Sequence, residues 1–151
     1  MMEAARNLDI PYSAFFPSMR LWQFGWGARS LKFFESSSEE DSCSGARIAN
    51  DKVASKSFLA RMGAPTLRYA LVTAADQLDA AAQQTGWPCV VKPIDRGQAK
   101  GVTVNIQTPD QLRHAFATAR KHSQAAIMVE SMAEGDVYRL LVVRGRLVAA
   151  S

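Results

Sequence analysis

The sequence predicts an α+β fold, an antiparallel sheet with helices packed on one face. Two spacings and a composition point there. Between Leu67 and Glu130 the local patterns run strand, helix, strand, strand, helix, strand. The connections from Ile94 to Val102 and from Val143 to Leu147 fall short of the dozen or more residues a parallel crossover needs, so those strands, if they pair, pair antiparallel. At 151 residues, 48% hydrophobic and 21% charged, the chain can bury a core in one domain, or in one domain plus a fragment of another. No apolar run approaches the ~20 residues of a membrane span, and Met1 to Asp9 lacks the apolar stretch of a signal peptide. The cytoplasm is therefore the expected compartment, and no membrane partner is expected.

Met2 to Leu8 reads as the end of a helix, and Ile10-Pro11 as an extended segment, because the residue before proline is pushed away from helical angles. Leu21 to Gly27 and Leu31 to Phe34 are short apolar stretches that suit a hairpin or a strand and turn. Glu35 to Gly45, acidic and serine-rich, reads as a mobile loop, since it offers too little apolar surface to order itself. Asn50 or Asp51 can cap a helix from Lys52 to Met62, with Val53, Phe58, Leu59 and Met62 as its apolar side and Gly63 as its stop. Leu67 to Val72 is a strand. Thr73 then caps a helix from Ala74 to Thr85 that ends on Gly86. Cys89 to Ile94 and Val102 to Ile106 are strands. Thr108-Pro109-Asp110-Gln111 has capping-box spacing with proline at the first helical position, so a third helix runs to His122. Ala126 to Glu130 is a strand, and Tyr138 to Val143 with Leu147 to Ala150 forms a hairpin around Arg144-Gly145.

Cys43 and Cys89 have neither CxxC spacing nor a flanking histidine pair, so they read as free thiols rather than as a disulfide or a zinc site. The net charge of +4 comes from 18 basic residues that never form a run of four. A polyanionic small molecule such as a nucleotide explains that charge as well as nucleic acid does.

Three segments could carry chemistry. Lys92 lies among Val90, Val91, Pro93 and Ile94, where an ammonium is costly without an anionic partner. Strand alternation puts Val90 and Lys92 on one side, an apolar wall beside a cation that suits an adenine ring and its phosphates. A lysine snorkelling from a sheet edge, or paired with an internal carboxylate, fits equally well. The loop that follows contains Gly97 and Gly101, which permit backbone N–H groups to converge on phosphate, although a plain hairpin turn also uses glycine. Glu130-Ser131-Met132-Ala133 ends a strand and begins a linker, either a hinge whose backbone can read an adenine edge or simply a solvated strand end.

Taken in order, Asp51-Lys52, the VVKPID stretch from Val90 to Asp95, the loop ending at Gly101-Val102, the IMVE stretch from Ile127 to Glu130, and Tyr138 to Val143 resemble the ATP-grasp family. Within it the pattern is similar to peptide ligases of the cyanophycin synthetase and glutathione synthetase kind. The resemblance extends to the QFGWG stretch from Gln23 to Gly27. It implies an ATP-grasp N-terminal lobe from 50 to 130, preceded by the tail of another domain over 1–49 and followed by the hinge and first hairpin of a second lobe over 131–151. It also implies that Lys52 and Lys92 contact phosphates, that the loop from Arg96 to Gly101 closes over them, and that Glu130, Ser131, Met132 and Ala133 bind adenine, with Val90 as apolar wall. The activity it implies is ATP-dependent joining of an amino-acid or peptide carboxylate to an amine through an acyl phosphate. Mg2+ would be held by ligands expected beyond residue 151. A homo-oligomer is compatible with the resemblance, and no catalytic residue is assigned.

Two residues of the loop depart from the pattern, Arg96 and Ala99, which stand where the family has glycine and make the loop bulkier. The family's ribose-binding acid falls at Val137, with Asp136 one place early, and on an extended segment one place reverses the side-chain direction. Because the family's magnesium ligands are expected beyond residue 151, the chain alone is expected not to turn over. A degenerate module with a binding or scaffold role is the alternative reading, and a basic nucleic-acid-binding domain, recognisable by salt-sensitive binding, is a third.

Overall fold

The computed structural model describes residues 1–35 and 37–151. The chain forms two compact units, Met1–Phe58 and Leu59–Ser151.

The first unit opens with helix α1 (Met2–Asn7) and continues through strands β1 (Tyr12–Phe16), β2 (Leu21–Phe24), β3 (Leu31–Phe34) and β4 (Ser37–Ser38) to helix α2 (Cys43–Asn50). The strands form an antiparallel meander in sequence order. Aromatic side chains hold its face: Tyr12 stacks on Phe24 at 5.9 Å between ring centroids, and Phe24 meets Phe33 edge-on at 5.5 Å. Such pairs contribute about 0.5–1.5 kcal/mol beyond area burial. Ala5 is the only buried hydrophobic residue among those described in this unit. The β2–β3 pairing is the expected hairpin. Within the stretch read as a mobile loop, Ser36 lies outside the described residues, Ser37–Ser38 pairs with β3, and the Ser42 hydroxyl accepts from the Gly45 N–H to start α2.

Helix α3 (Lys52–Arg61) spans the junction between the units. Asp51 caps it as expected, its carboxylate accepting from the N–H groups of Val53 and Ala54, both at 2.9 Å. Gly63, at φ +74°, closes it. The expected apolar side is not buried: Phe58, Leu59 and Met62 are all exposed. Phe58, Leu59 and Met62 share a face at spacings of three and four, and Val53 lies on the opposite side of the helix.

The second unit contains β5 (Tyr69–Val72), α4 (Leu78–Thr85), β6 (Cys89–Pro93), β7 (Thr103–Ile106), α5 (Pro109–His122), β8 (Ile127–Ser131), β9 (Leu140–Val143) and β10 (Arg146–Ala150). Four strands pair antiparallel in the order β5-β8-β6-β7, and β9 with β10 forms a separate hairpin. This is the α+β architecture expected, with strand ends shifted by a residue or two. Leu78, Ala81 and Ala82 of α4 and Leu112, Ala115, Phe116 and Ala119 of α5 pack with Val72, Cys89, Val91, Ile106, Ile127 and Val129 of the sheet. Every second strand residue thus faces the helices, and the intervening residues form the opposite face.

One expected cap is made differently. The Thr73 hydroxyl does not cap the helical segment after β5. Instead the Gln77 side-chain oxygen reaches back to accept from the N–H groups of Thr73 and Ala74, at 2.7 and 3.3 Å. A short 3-10 turn, Ala75–Gln77, precedes α4 and lets glutamine do this work. Thr108 does cap α5, accepting from the Gln111 N–H at 3.3 Å, while Gln111 accepts from the Gln107 N–H at 2.8 Å.

Candidate functional site

In β6, Cys89, Val91 and Pro93 are buried toward the helices, whereas Val90 and Lys92 face the other way. In β8, Ile127 and Val129 face the helices, and Met128 and Glu130 share the side of Val90 and Lys92. Register places Val90 opposite Glu130 and Lys92 opposite Met128, so Lys92 and Glu130 are diagonal neighbours. The Lys92 Nζ donates to Glu130 Oε2 at 2.5 Å. The lysine side chain is 23% exposed and the glutamate 7%.

Of the readings open for Lys92, the structure has the one in which an internal carboxylate satisfies the ammonium that the apolar strand would otherwise strand. Glu130 is not a solvated strand end, because β8 is an inner strand flanked by β5 and β6 and its end is covered from both sides. Met128, fully buried on this face, was not singled out from the sequence. Counting two residues back from Glu130 along the strand would have found it.

The residues expected to form a hinge follow directly. Ser131 donates through both its N–H and its hydroxyl to the Arg68 carbonyl, at 2.9 and 3.1 Å, and the Met132 N–H donates to the Pro88 carbonyl at 3.0 Å. The Trp87–Pro88 peptide is cis. Ala133 continues the segment without regular structure. Val90, Lys92, Glu130, Ser131, Met132 and Ala133 are thereby gathered on two adjacent strands and the hinge. Lys52 belongs to the other unit, as the first residue of α3.

The loop between β6 and β7 carries Gly97 and Gly101. Lys100 donates its N–H to the Gly97 carbonyl at 3.2 Å, closing a turn whose two central residues, Gln98 and Ala99, sit at φ +56° and +58°. Ala99 therefore takes the backbone angle that its side chain was expected to discourage. Gly101 has φ +72°, and a Cβ there would lie 3.1 Å from Pro93 Cγ and 3.2 Å from the His122 ring. Arg96, the other departure, donates from Nε to the His122 carbonyl at the end of α5, at 2.7 Å. This tether was missed because sequence spacing gives no sign that the end of α5 returns to the loop.

Val137 is 92% exposed. A cleft of about 440 Å3 between β7 and the start of α5 includes Thr103, Asn105, Asp110 and His114 in its lining, and none of the expected site residues. Among the described residues no group of three or more His, Cys, Asp or Glu side chains could hold a metal ion.

An antiparallel sheet with two helices on one face, and a lysine–carboxylate pair on the other, is consistent with the N-terminal lobe of an ATP-grasp fold. Residues 57–146 match the family model of the ATP-grasp domain, and the chain belongs to that family. It is 34% identical over 131 residues to the cyanophycin synthetase of Geminocystis herdmanii, covering 85% of this chain and 15% of that protein. It is 30% identical over 101 residues to the D-alanine–D-alanine ligase of Ectopseudomonas mendocina, covering 67% of this chain and 32% of that protein. A bifunctional glutathione synthetase from Pasteurella multocida shares the fold, with a TM-score of 0.56 at 19% identity over 99% of this chain and 20% of its own. The chain thus spans a small part of the length of each.

Proposed function

We propose that this chain supplies the nucleotide-holding part of an ATP-dependent carboxylate–amine ligase. The observation that carries the proposal is the Lys92–Glu130 pair beside the hinge. Lys92 has three N–H donors, and one bond to Glu130 leaves others to meet phosphate oxygens, while the partly exposed Val90 offers apolar surface for a base. The loop with Gly97 and Gly101 adds further phosphate contacts. The Ser131 and Met132 N–H groups are engaged with Arg68 and Pro88, so recognition of the adenine edge falls to groups further along the hinge, Ala133 first.

In the reaction we assign to the whole protein, the γ-phosphoryl group of ATP passes to a substrate carboxylate. ADP leaves, and an amine attacks the acyl phosphate and releases phosphate. Positioning and charge neutralisation serve such a transfer better than a covalent residue. The carboxylate belongs to an amino acid or peptide, and Mg2+ is held by ligands beyond residue 151, as the family resemblance implies. No described helix is long and apolar enough to cross a membrane, which accords with a cytoplasmic setting. Residues 1–49, 50–130 and 131–151 would be the end of a preceding domain, the nucleotide lobe, and the hinge with the first hairpin of the next lobe.

The test is calorimetric titration of the chain with ADP and ATP. Weak binding that falls at least tenfold in Lys92→Ala is expected. No heat at millimolar nucleotide would instead support a degenerate module, the reading favoured by the exposed Val137 at the ribose position.

A further inference from the structure

We propose that Arg96 is a positioning residue for nucleotide phosphates, acting through the loop it tethers rather than by touching the ligand. The assignment rests on the nucleotide-site reading given above and concerns a residue outside the family's usual glycine pattern.

Two independent anchors hold the root of this loop, one on each side of the Gly97–Lys100 turn. Before the turn, the Arg96 Nε donates to the His122 carbonyl at 2.7 Å. That carbonyl ends α5, where the last C=O groups have no partner within the helix and carry the negative end of its dipole, so a guanidinium is favoured there by both hydrogen bond and charge. After the turn, Gly101 lies so close to Pro93 and the His122 ring that a single added carbon would crowd both and force them to give. The same helix end, His122, therefore receives both sides of the loop.

Between the anchors the chain is held in an unfavourable shape. Gln98 and Ala99 both have positive φ, a conformation that costs each non-glycine residue about 1 kcal/mol or more and persists only where the surroundings impose it. Without the Arg96 anchor the turn has other conformations to relax into. A glycine-rich loop would adopt this shape at little cost, but it would have to be ordered at the moment a ligand binds. Here a side-chain tether replaces part of that freedom with a preformed turn.

The consequence is specific to phosphate. The tether acts on residues 97–101 and not on the hinge at Ser131 to Ala133, so its loss should weaken ligands in proportion to the phosphates they bring. In the full chain, Arg96→Ala should bind ADP roughly tenfold more weakly, the effect of one lost charge-assisted hydrogen bond, with AMP binding changed less than twofold. Arg96→Lys should recover part of the loss. Gly101→Ala, which disturbs the second anchor, should show the same selectivity. Without nucleotide, the backbone N–H groups of Lys100 and Val102 should exchange with solvent faster in Arg96→Ala, with the thermal midpoint lowered by only a few degrees.

Equal losses for ADP and AMP, or unchanged or tighter ADP binding in Arg96→Ala, would overturn the assignment while leaving the nucleotide site standing. Absence of ADP binding by the unaltered chain would overturn the site reading, and this assignment with it.

Discussion

Lys92 and Glu130 illustrate how one pair can serve stability and binding through different atoms. Removing the lysine leaves a carboxylate that is 7% exposed without its cation. Losing one member of a largely buried ion pair is costly, while replacing both members by neutral groups is often nearly neutral. Lys92→Met should therefore destabilise the fold by about 1–3 kcal/mol, and adding Glu130→Gln should restore most of that loss in urea denaturation. Nucleotide affinity should not return, because the double variant still lacks the ammonium. Recovery of binding together with stability would show that Lys92 matters to the fold alone.

The two cysteines differ for a related reason. Burial pushes the Cys89 thiol above its ordinary value by making the thiolate costly, and Cys43 is exposed. Because the folded chain holds this proton more tightly than the unfolded chain, the linked stability is fully present below the ordinary thiol value. It declines as pH rises through that value toward the raised one. A maleimide-type reagent at neutral pH should modify one thiol quickly and the second only on unfolding. Rapid modification of both would contradict the packing of Cys89 against α4 and α5.

At the scale of elements, the two threonines that precede helical segments look alike in sequence, and the structure separates them. Thr108 accepts from the Gln111 N–H, whereas at the other helix Gln77 performs the capping and Thr73 only donates its hydroxyl to it. Thr108→Ala should cost about 1 kcal/mol, Thr73→Ala only a few tenths, and Gln77→Ala nearer the Thr108 value, all by urea denaturation. The reason Thr73 misleads is physical. A 3-10 turn intervenes before α4, and the local sequence does not reveal that tighter winding. Strand faces were legible where burial enforces alternation, as in Cys89 to Lys92, and less so where it does not. Tyr12 to Phe16 pairs as β1 without an alternating pattern, and Ser42 starts α2 inside a stretch whose polarity suggested only a loop. Lys92 and Glu130 could each be found in the sequence, but their pairing could not, since it depends on the register between β6 and β8 across a separation of 38 residues. Arg96 is the converse case, a departure that looked like a loss and proves to be a contact.

For the molecule as a whole, the distribution of buried residues sets how it should unfold. Apart from Ala5, every buried hydrophobic residue described lies between Val72 and Val129. That stretch has a two-layer core and should unfold as one cooperative step. The Met1–Phe58 unit relies on aromatic pairs over a meander, with too little buried apolar surface to match it. Two tryptophans, Trp22 and Trp26, lie in that unit, and Trp87 lies in the other. Fluorescence from a variant retaining only Trp22 should therefore change at lower urea than fluorescence from one retaining only Trp87. Far-UV circular dichroism, which samples helices of both units, should show both transitions. Coincident transitions from all three probes would mean that the first unit draws its stability from the core of the second, and that the chain folds as a single cooperative body.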